Sequence, residues 1–413
     1  MFLPDQKTSR AGKRHKAGPA FARYYRPSAV PTLYLLILLN VLTHSVYVGS
    51  RVLLVLYAIQ LGAPTYAVGL LAAVYGIIPM LFSVWAGRLT DRLPPRKLMF
   101  FGALATTVGV ALPAAIPEVW VLYVTGTLIG AGFMLYHLTM QNVSGYLGKP
   151  EDRTANFSLV SLGFSLSALI GPLFAGFAID GLGHRVTFAL FAIPPLVPVL
   201  IFAFNKLKLP SPPRAKDAAS GGRVRDLLGI AVLRRLLIIN GLIAVAWDLY
   251  AFVIPVHGAS IGLSATVIGL VMGCFSAATF VVRIALPAIS RRFNSWQVLS
   301  SVLLIAGALY CLFPIYPSAL WLGFLSVLLG LVLGMTQPLV MALVHNHTPT
   351  GRAGTAVGLR GVIINSSQTF MPILFGAVGS IMGMAPVFFV VAAVLMGFGW
   401  SERRTNAREH RKN

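Results

Sequence analysis

Apolar residues along this chain come in long runs broken by short polar turns, and the length of those runs decides the fold class. A helix crossing a bilayer needs about 20 mostly apolar residues. Twelve stretches of roughly that length follow one another, at 32–60, 66–87, 97–115, 119–147, 155–180, 186–205, 233–258, 265–289, 296–314, 318–344, 355–382 and 386–401. A membrane barrel calls instead for strands of about 10 residues with alternating polarity, which none of the twelve shows. Lipid demands that every backbone group be satisfied internally, so helices are what remains. The pattern predicts an all-α membrane protein with twelve transmembrane helices.

The pattern also repeats. Adding 200 to a position in the first half lands on the same residue type at Asn40 and Asn240, Gly62 and Gly262, Gly69 and Gly269, Arg92 and Arg292, Pro117 and Pro317, Gly130 and Gly330, Pro172 and Pro372, and Gly176 and Gly376. Coincidences at Gly and Pro report shared backbone geometry, because these residues set close approaches and kinks. Two pseudo-symmetric six-helix bundles are expected, at 32–205 and 233–401, flanked by tails at 1–31 and 402–413. The linker at 206–232 opens with KLKLPSPPRAKDAASGG, which is charged, rich in Pro, Ser and Gly, and has nothing to bury.

Charge changes the picture by orienting these helices. Of the 413 residues 57% are hydrophobic and 11% charged, with a net charge of +22; soluble domains carry about 25% charged residues. With the N-terminus cytoplasmic, 29 of the 33 Lys and Arg fall on that side. Arg185 lies in an outer loop, while Arg51, Arg283 and Arg360 fall within helices. The positive-inside rule therefore places both termini in the cytoplasm of a multi-pass plasma or inner-membrane protein. The net charge marks topology and not nucleic acid. Basic runs such as Lys13, Arg14, His15 and Lys16 read as a solvated tail beside anionic headgroups, worth about 1 kcal/mol per charge. Residues 1–30 are basic, broken by Pro4, Pro19 and Pro27, and lack a separate apolar core, so no cleavable signal peptide is expected. Cys274 and Cys311 lie in separate spans and say nothing about redox compartment.

The polar turn GRLTDRLPPRK, residues 87–97, follows the second span. It resembles the signature turn of the major facilitator superfamily: Gly87, Leu89, Asp91, Arg92, Arg96 and Lys97 match, and Pro94 stands where the family usually has Gly. The resemblance covers the whole chain, with its twelve spans, two halves and inward-facing linker. It implies a cytoplasmic gate at Gly87, Asp91, Arg92 and Arg96, in which Asp91 docks at the N-terminus of the eleventh helix near Gly354 and Thr355, where the helix dipole favours a carboxylate. The counterpart in the second half, PAISRRFN from Pro287, carries Arg291 in place of the acid. GPLFAG from Gly171 resembles the stretch associated with exporters, although Ser158 and Ser167 replace its glycines. Gly126 stands where many proton-coupled members carry an Arg. Gly126 with Gly130, and Gly330 with Gly334, are GxxxG pairs suited to close helix packing.

The chemistry must come from polar groups within the spans, since a charge at mid-helix costs about 2.5–3.5 kcal/mol on insertion scales. Asn40, His44, Tyr47 and Arg51 are spaced i, i+4, i+7 and i+11, so at about 100° per residue they share one face of the first helix. The matching face of the seventh helix reads Asn240, Ala244, Trp247 and Ala251, with Asp248 beside it, the one acid placed in the interior of a span. By the family's architecture helices one, four, seven and ten line the cavity, which sets Arg51 and Asp248 at similar depth on opposite walls. Arg51 is the candidate for an anionic or carbonyl group of a solute. Asp248 is its counter-charge, a proton-coupling carboxylate, or half of a structural ion pair. His44 is a second candidate proton carrier, or a neutral hydrogen-bonded residue. His137 and Gln337 are repeat mates, and Gln141 follows His137 at i+4. Asn365 and Gln368 line the cavity or satisfy the carbonyls freed by Pro372. Trp247 stacks on a flat solute or packs, and Arg283 and Arg360 sit near cytoplasmic ends, where snorkelling or gate pairing accounts for them.

Enzyme signatures are missing or misplaced. GASIG from Gly258 fits GxSxG but lies in an outer turn, without the strand that a nucleophile elbow requires. There is no GxxxxGK[ST], HExxH or paired CxxC, so no cofactor is called for, and His345 with His347 makes a poor metal site. The expectation is a monomeric secondary transporter, not an enzyme, moving a small organic solute by rocking of its two halves. Export against protons stands first. Proton-linked uptake of an organic anion on Arg51 is the alternative, and a membrane enzyme or receptor comes last.

Overall fold

The structure, a computed structural model, describes residues 29–147, 153–204, 209, 224–292, 294–349 and 353–412. Nearly all of them are helical, in the order α1 (Ala29–Gln60), α2 (Thr65–Arg92), α3 (Pro95–Ala115), α4 (Val119–Tyr146), α5 (Arg153–Phe204), α6 (Val224–Gly229), α7 (Ala231–Ser260), α8 (Ala265–Arg292), α9 (Ser295–Leu312), α10 (Ala319–Gly334), α11 (Thr336–His347), α12 (Ala353–Met382) and α13 (Ala385–Lys412). Eleven helices among the described residues are long and apolar enough to cross a membrane. The twelfth passage lies inside α5, whose 52 residues leave helical geometry at Gly183, with φ 78° and ψ 165°. Beyond this bend the chain runs back: Arg185 donates to Ala114 O at the outer end of α3, and Phe202 O accepts from Arg96 Nε at its cytoplasmic start. The tenth passage is divided between α10 and α11, and the final helix continues past residue 401 to Lys412.

The 200-residue repeat is visible in the backbone. Glycines with positive φ occur at Gly62 and Gly262 and at Gly183 and Gly383, all near 78°. Each pair is one outer turn of the first bundle and its mate in the second, a conformation that a side chain would strain.

Two seams join the bundles, and the repeated Gly and Pro residues build both. Where α2 meets α12, a Cβ on Gly69 would lie 2.4 Å from Pro372 O, and one on Gly376 would lie 2.9 Å from Thr65 O. Where α5 meets α8, the mates recur: Gly269 faces Pro172 O at 2.6 Å, and Gly176 faces Ala265 O at 2.4 Å. Helices in lipid gain little from burying apolar surface against one another, so backbone approach through small residues carries the association. These contacts lie on the outer side. Toward the cytoplasm, a Cβ on Gly87 of α2 or on Gly358 and Gly361 of α12 would meet nothing within 4 Å. The GxxxG glycines pack as expected within each half, Gly130 against Tyr75 O and Gly330 against its mate Phe275 O.

Proline leaves carbonyls without their helical donor, and α8 supplies two replacements. Pro172 removes the N–H that would bond Ala168 O, which accepts instead from Ser276 Oγ at 3.0 Å. Pro338 likewise frees Gly334 O at the α10–α11 break, and Arg283 Nε donates to it over a long 3.4 Å. In the other seam Pro372 frees Gln368 O, but the mate of Ser276 is Gly76, so no hydroxyl stands there. No side-chain hydrogen bond from Asn365 or Gln368 takes up that role among the described residues.

Candidate solute site

The polar face of α1 divides into two environments. Its cytoplasmic half enters an aromatic cluster. His44 packs edge-on to Phe164 at 4.8 Å and tilted on Phe133 at 5.2 Å, while His137 of α4 flanks the same two rings at 4.9 and 5.2 Å. Tyr47 stacks on Phe133 at 4.1 Å. Gln141 Nε2 lies 2.7 Å from His137 Nε2, so the i+4 pair expected on α4 is formed. The Nδ1 atoms of both histidines, and the amide nitrogen and oxygen of Asn40, are buried with no hydrogen-bond partner in the structure. Such groups are costly in an apolar interior, which distinguishes this cluster from ordinary helix packing.

The outer half of the face ends at Arg51. Its guanidinium lies 5.8 Å from the centroid of the Tyr75 ring, a cation–π distance. Tyr75 is fixed by donating to Ser50 Oγ at 3.0 Å. No acceptor among the described residues takes a hydrogen bond from Arg51. The residue opens on a crevice between the bundles, walled by Leu54, Val55, Leu71, Ala72 and Tyr75 on one side and by Ala251 and Phe252 of α7 on the other. Ala251 is the repeat mate of Arg51. The expected opposition of helices one and seven is therefore present at this level.

Asp248 lies one turn from Ala251 on α7, 5% exposed and behind the residues that line the crevice. Its Oδ2 accepts from Ser367 Oγ of α12 at 2.6 Å. Arg51 is within electrostatic reach of the carboxylate but not in ion-pair contact with it. The pair is thus held apart, each member with a neutral neighbour of its own half: Tyr75 for the cation, Ser367 for the anion. Trp247 turns edge-on to Phe275 at 4.9 Å and packs.

The remaining candidates are distributed around this centre. Arg360 Nε donates to Asn240 Oδ1 at 2.8 Å, which ties α12 to α7. Arg283 spans the halves, donating to Ser165 Oγ of α5 at 2.8 Å and to Gln337 Oε1 at 3.2 Å. Both arginines are thus tied to neighbouring helices. Ser367, Tyr75, Ser165, Phe133 and Phe164 have no counterpart in the sequence-level list. Only the polar run Asn365–Ser366–Ser367–Gln368 in an apolar helix gave a signal for Ser367.

At the cytoplasmic turn, Arg96 donates through Nε to Phe202 O at 2.6 Å and through a terminal nitrogen to Ala203 O at 3.0 Å. It therefore closes the end of α5 within its own bundle and does not reach the other half. Thr90 donates to Gly87 O at 2.7 Å and accepts from Asn142 at 2.6 Å. The side chains of Asp91 and Arg92, and those of Gly354 and Thr355 where Asp91 is expected to dock, lie outside the described residues.

Residues 33–372 match the Major Facilitator Superfamily. The chain is 25% identical over 371 residues to the multidrug resistance protein MdtG of Dickeya zeae (strain Ech586), which covers 86% of this chain and 90% of that protein. It is 23% identical over 329 residues to the class C tetracycline resistance protein of Escherichia coli, covering 75% of this chain and 79% of that one. A crystal structure of a POT family transporter in complex with a thioalcohol-conjugated peptide superposes with a TM-score of 0.77 over 92% of this chain and 96% of that one, at 15% identity, a likeness of fold. Twelve passages in two repeated bundles, both termini cytoplasmic, and a match running through most of both bundles agree on one conclusion: the chain belongs to the major facilitator superfamily.

Proposed function

We propose that the chain is a monomeric secondary transporter that exports a small organic, amphipathic solute by alternating access, in exchange for protons. The observation that carries this reading is the separated pair Arg51 of α1 and Asp248 of α7, within electrostatic reach of each other but not in contact. Two opposite charges in a poorly screened site attract strongly, and anything that neutralises one member frees the other. A proton on Asp248 and a solute lying against that carboxylate compete for the same group, and competition at one site that faces each side in turn is antiport. The crevice is closed in this structure; its apolar walls, Leu54, Val55, Leu71 and Phe252, would suit the rest of an amphipathic molecule once the bundles part. Export is favoured over import because the two relatives that align over most of their length are named for multidrug and tetracycline resistance.

A second reading has its own support. An anion on Arg51 and a proton on Asp248 would bind together, each relieving the charge the other leaves uncompensated, and joint occupancy gives symport. Neither mode of transport calls for a cofactor.

Flux into proteoliposomes over a panel of amphipathic and anionic compounds, with pH gradients imposed in both directions, tests the two. Export is expected to rise when the side receiving solute is made acidic, whereas symport rises when the side supplying solute is acidic. Flux indifferent to pH removes both.

A further inference from the structure

Every hydrogen bond that crosses between the bundles, among the described residues, lies on the α5–α8 seam: Asp180 to Ala265 and Thr266, Thr266 to Gly176, Ser276 to Ala168, and Arg283 to Ser165. The α2–α12 seam has the same glycine approaches and none of these bonds. The outermost of them is unlike the rest, because its acceptor is a carboxylate. Asp180, in the last turn before the Gly183 bend, accepts from the backbone N–H of Ala265 at 3.1 Å through Oδ1 and from that of Thr266 at 2.7 Å through Oδ2. These are the first two N–H groups of α8, which have no partner within the helix, and the helix dipole adds to their attraction for a carboxylate. Thr266 Oγ1 returns a bond to Gly176 O at 3.3 Å. The repeat mates of Asp180 and Ala265 are Ser380 and Thr65. Ser380 bonds only Ala377 O in its own helix, so the latch exists on one seam and is absent from the other.

We propose that Asp180 is the outer gating residue of the transport cycle: its carboxylate, clamped on the N-terminus of α8, holds the outer face shut, and its release lets the outer ends of α5 and α8 part. The contact is suited to that role. It is exposed on the outer side, so water replaces each bond as it breaks, and it joins rigid helix ends whose separation is the outer opening itself. The Gly176 and Gly269 approaches behind it have no side chains to disengage. The proposal rests on the rocking of two bundles and not on the Arg51 site, and its test needs no solute.

The test is the outer distance between spin labels on Ile116→Cys and Tyr316→Cys, exposed repeat mates on opposite bundles, in a Cys274→Ser, Cys311→Ser background, reconstituted in nanodiscs. Asp180→Asn is nearly isosteric, keeps one acceptor oxygen and loses the charge. Asp180→Ala removes both acceptors. Ala265→Pro approaches from the other partner, deleting one donor at the first helical position, where Pro is tolerated. Charge-assisted bonds of this kind support an increase of about tenfold in the ratio of long to short distances for Asp180→Asn, more for Asp180→Ala. Ser380→Ala should leave the distribution unchanged. Distributions for Asp180→Asn and Asp180→Ala that match the parent, in protein that elutes and melts as the parent does, overturn the proposal. So does an equal shift in Ser380→Ala.

Discussion

Ser367 Oγ donates to Asp248 Oδ2 at 2.6 Å, and the bond joins α12 to α7 beside the one acid that the sequence places in the interior of a span. A carboxylate so buried is sustained by few groups: this hydroxyl, and the charge of Arg51 on α1. Changes at these residues separate coupling from folding.

Asp248→Asn is expected to uncouple transport. Solute should still equilibrate across proteoliposomes, but an imposed pH gradient should no longer drive accumulation. Ser367→Ala keeps the acid and removes one hydrogen bond to a charged group, so accumulation persists with a rate lower by about tenfold. Pronounced gradient-driven accumulation by Asp248→Asn sends the proton elsewhere, with His44 and His137 the next residues to change.

Arg51→Ala leaves Asp248 without the nearby cation. The half-saturating concentration of an anionic or carbonyl solute should rise by at least about tenfold. Arg51→Lys retains the charge but not the planar fork, so it should recover part of the loss. Affinity unchanged in both, measured by concentration-dependent flux, removes Arg51 from the solute site.

Much of the architecture could be read from the chain because it depends on length and period. Runs of about 20 apolar residues gave the passages, and the 200-residue coincidences at Gly69, Pro172 and Gly176 marked the residues that now form the seams. Even the bend at Gly183 and its mate Gly383 obeys the same offset. The polar site was only half legible. The spacing of Asn40, His44, Tyr47 and Arg51 located one face of α1, yet the aromatic partners Phe133 and Phe164 look like any apolar residue until packing brings them beside two histidines. Arg96 shows the converse: a motif position that suggested a gate closes the end of its own bundle, because the nearest free carbonyls, at Phe202 and Ala203, belong to α5.

The seams give a sharper prediction. Gly69→Ala places a methyl 2.4 Å from Pro372 O, a backbone atom that no rotamer change can move. Gly269→Ala does the same to Pro172 O at 2.6 Å. Each should cost about 1–3 kcal/mol by overpacking and spread the outer ends of the bundles. Gly62→Ala meets nothing within 4 Å and is strained only by its φ of 78°. It should lower the melting temperature without moving the bundles. Thermal unfolding in detergent combined with outer spin-label distances distinguishes the two outcomes.

On the cytoplasmic side, Arg235 at the start of α7 pairs with Glu402, donates to Asn406 at 2.7 Å and lies 4.5 Å from the Trp296 ring. Glu402→Gln should destabilise the protein by about 1–2 kcal/mol, since a partly buried Arg loses its counter-charge. Transport by the surviving folded protein should be unaffected. A melting temperature equal to the parent's would mean that this cluster does not anchor the last helix.

The glycine seams separate two kinds of inheritance. Their contacts are made by backbone atoms, so the fit of one bundle against the other places almost no demand on the side chains that line the crevice between them. Substitutions in the crevice therefore leave these backbone contacts in place. A lineage built on this frame can change its cargo while keeping its machine.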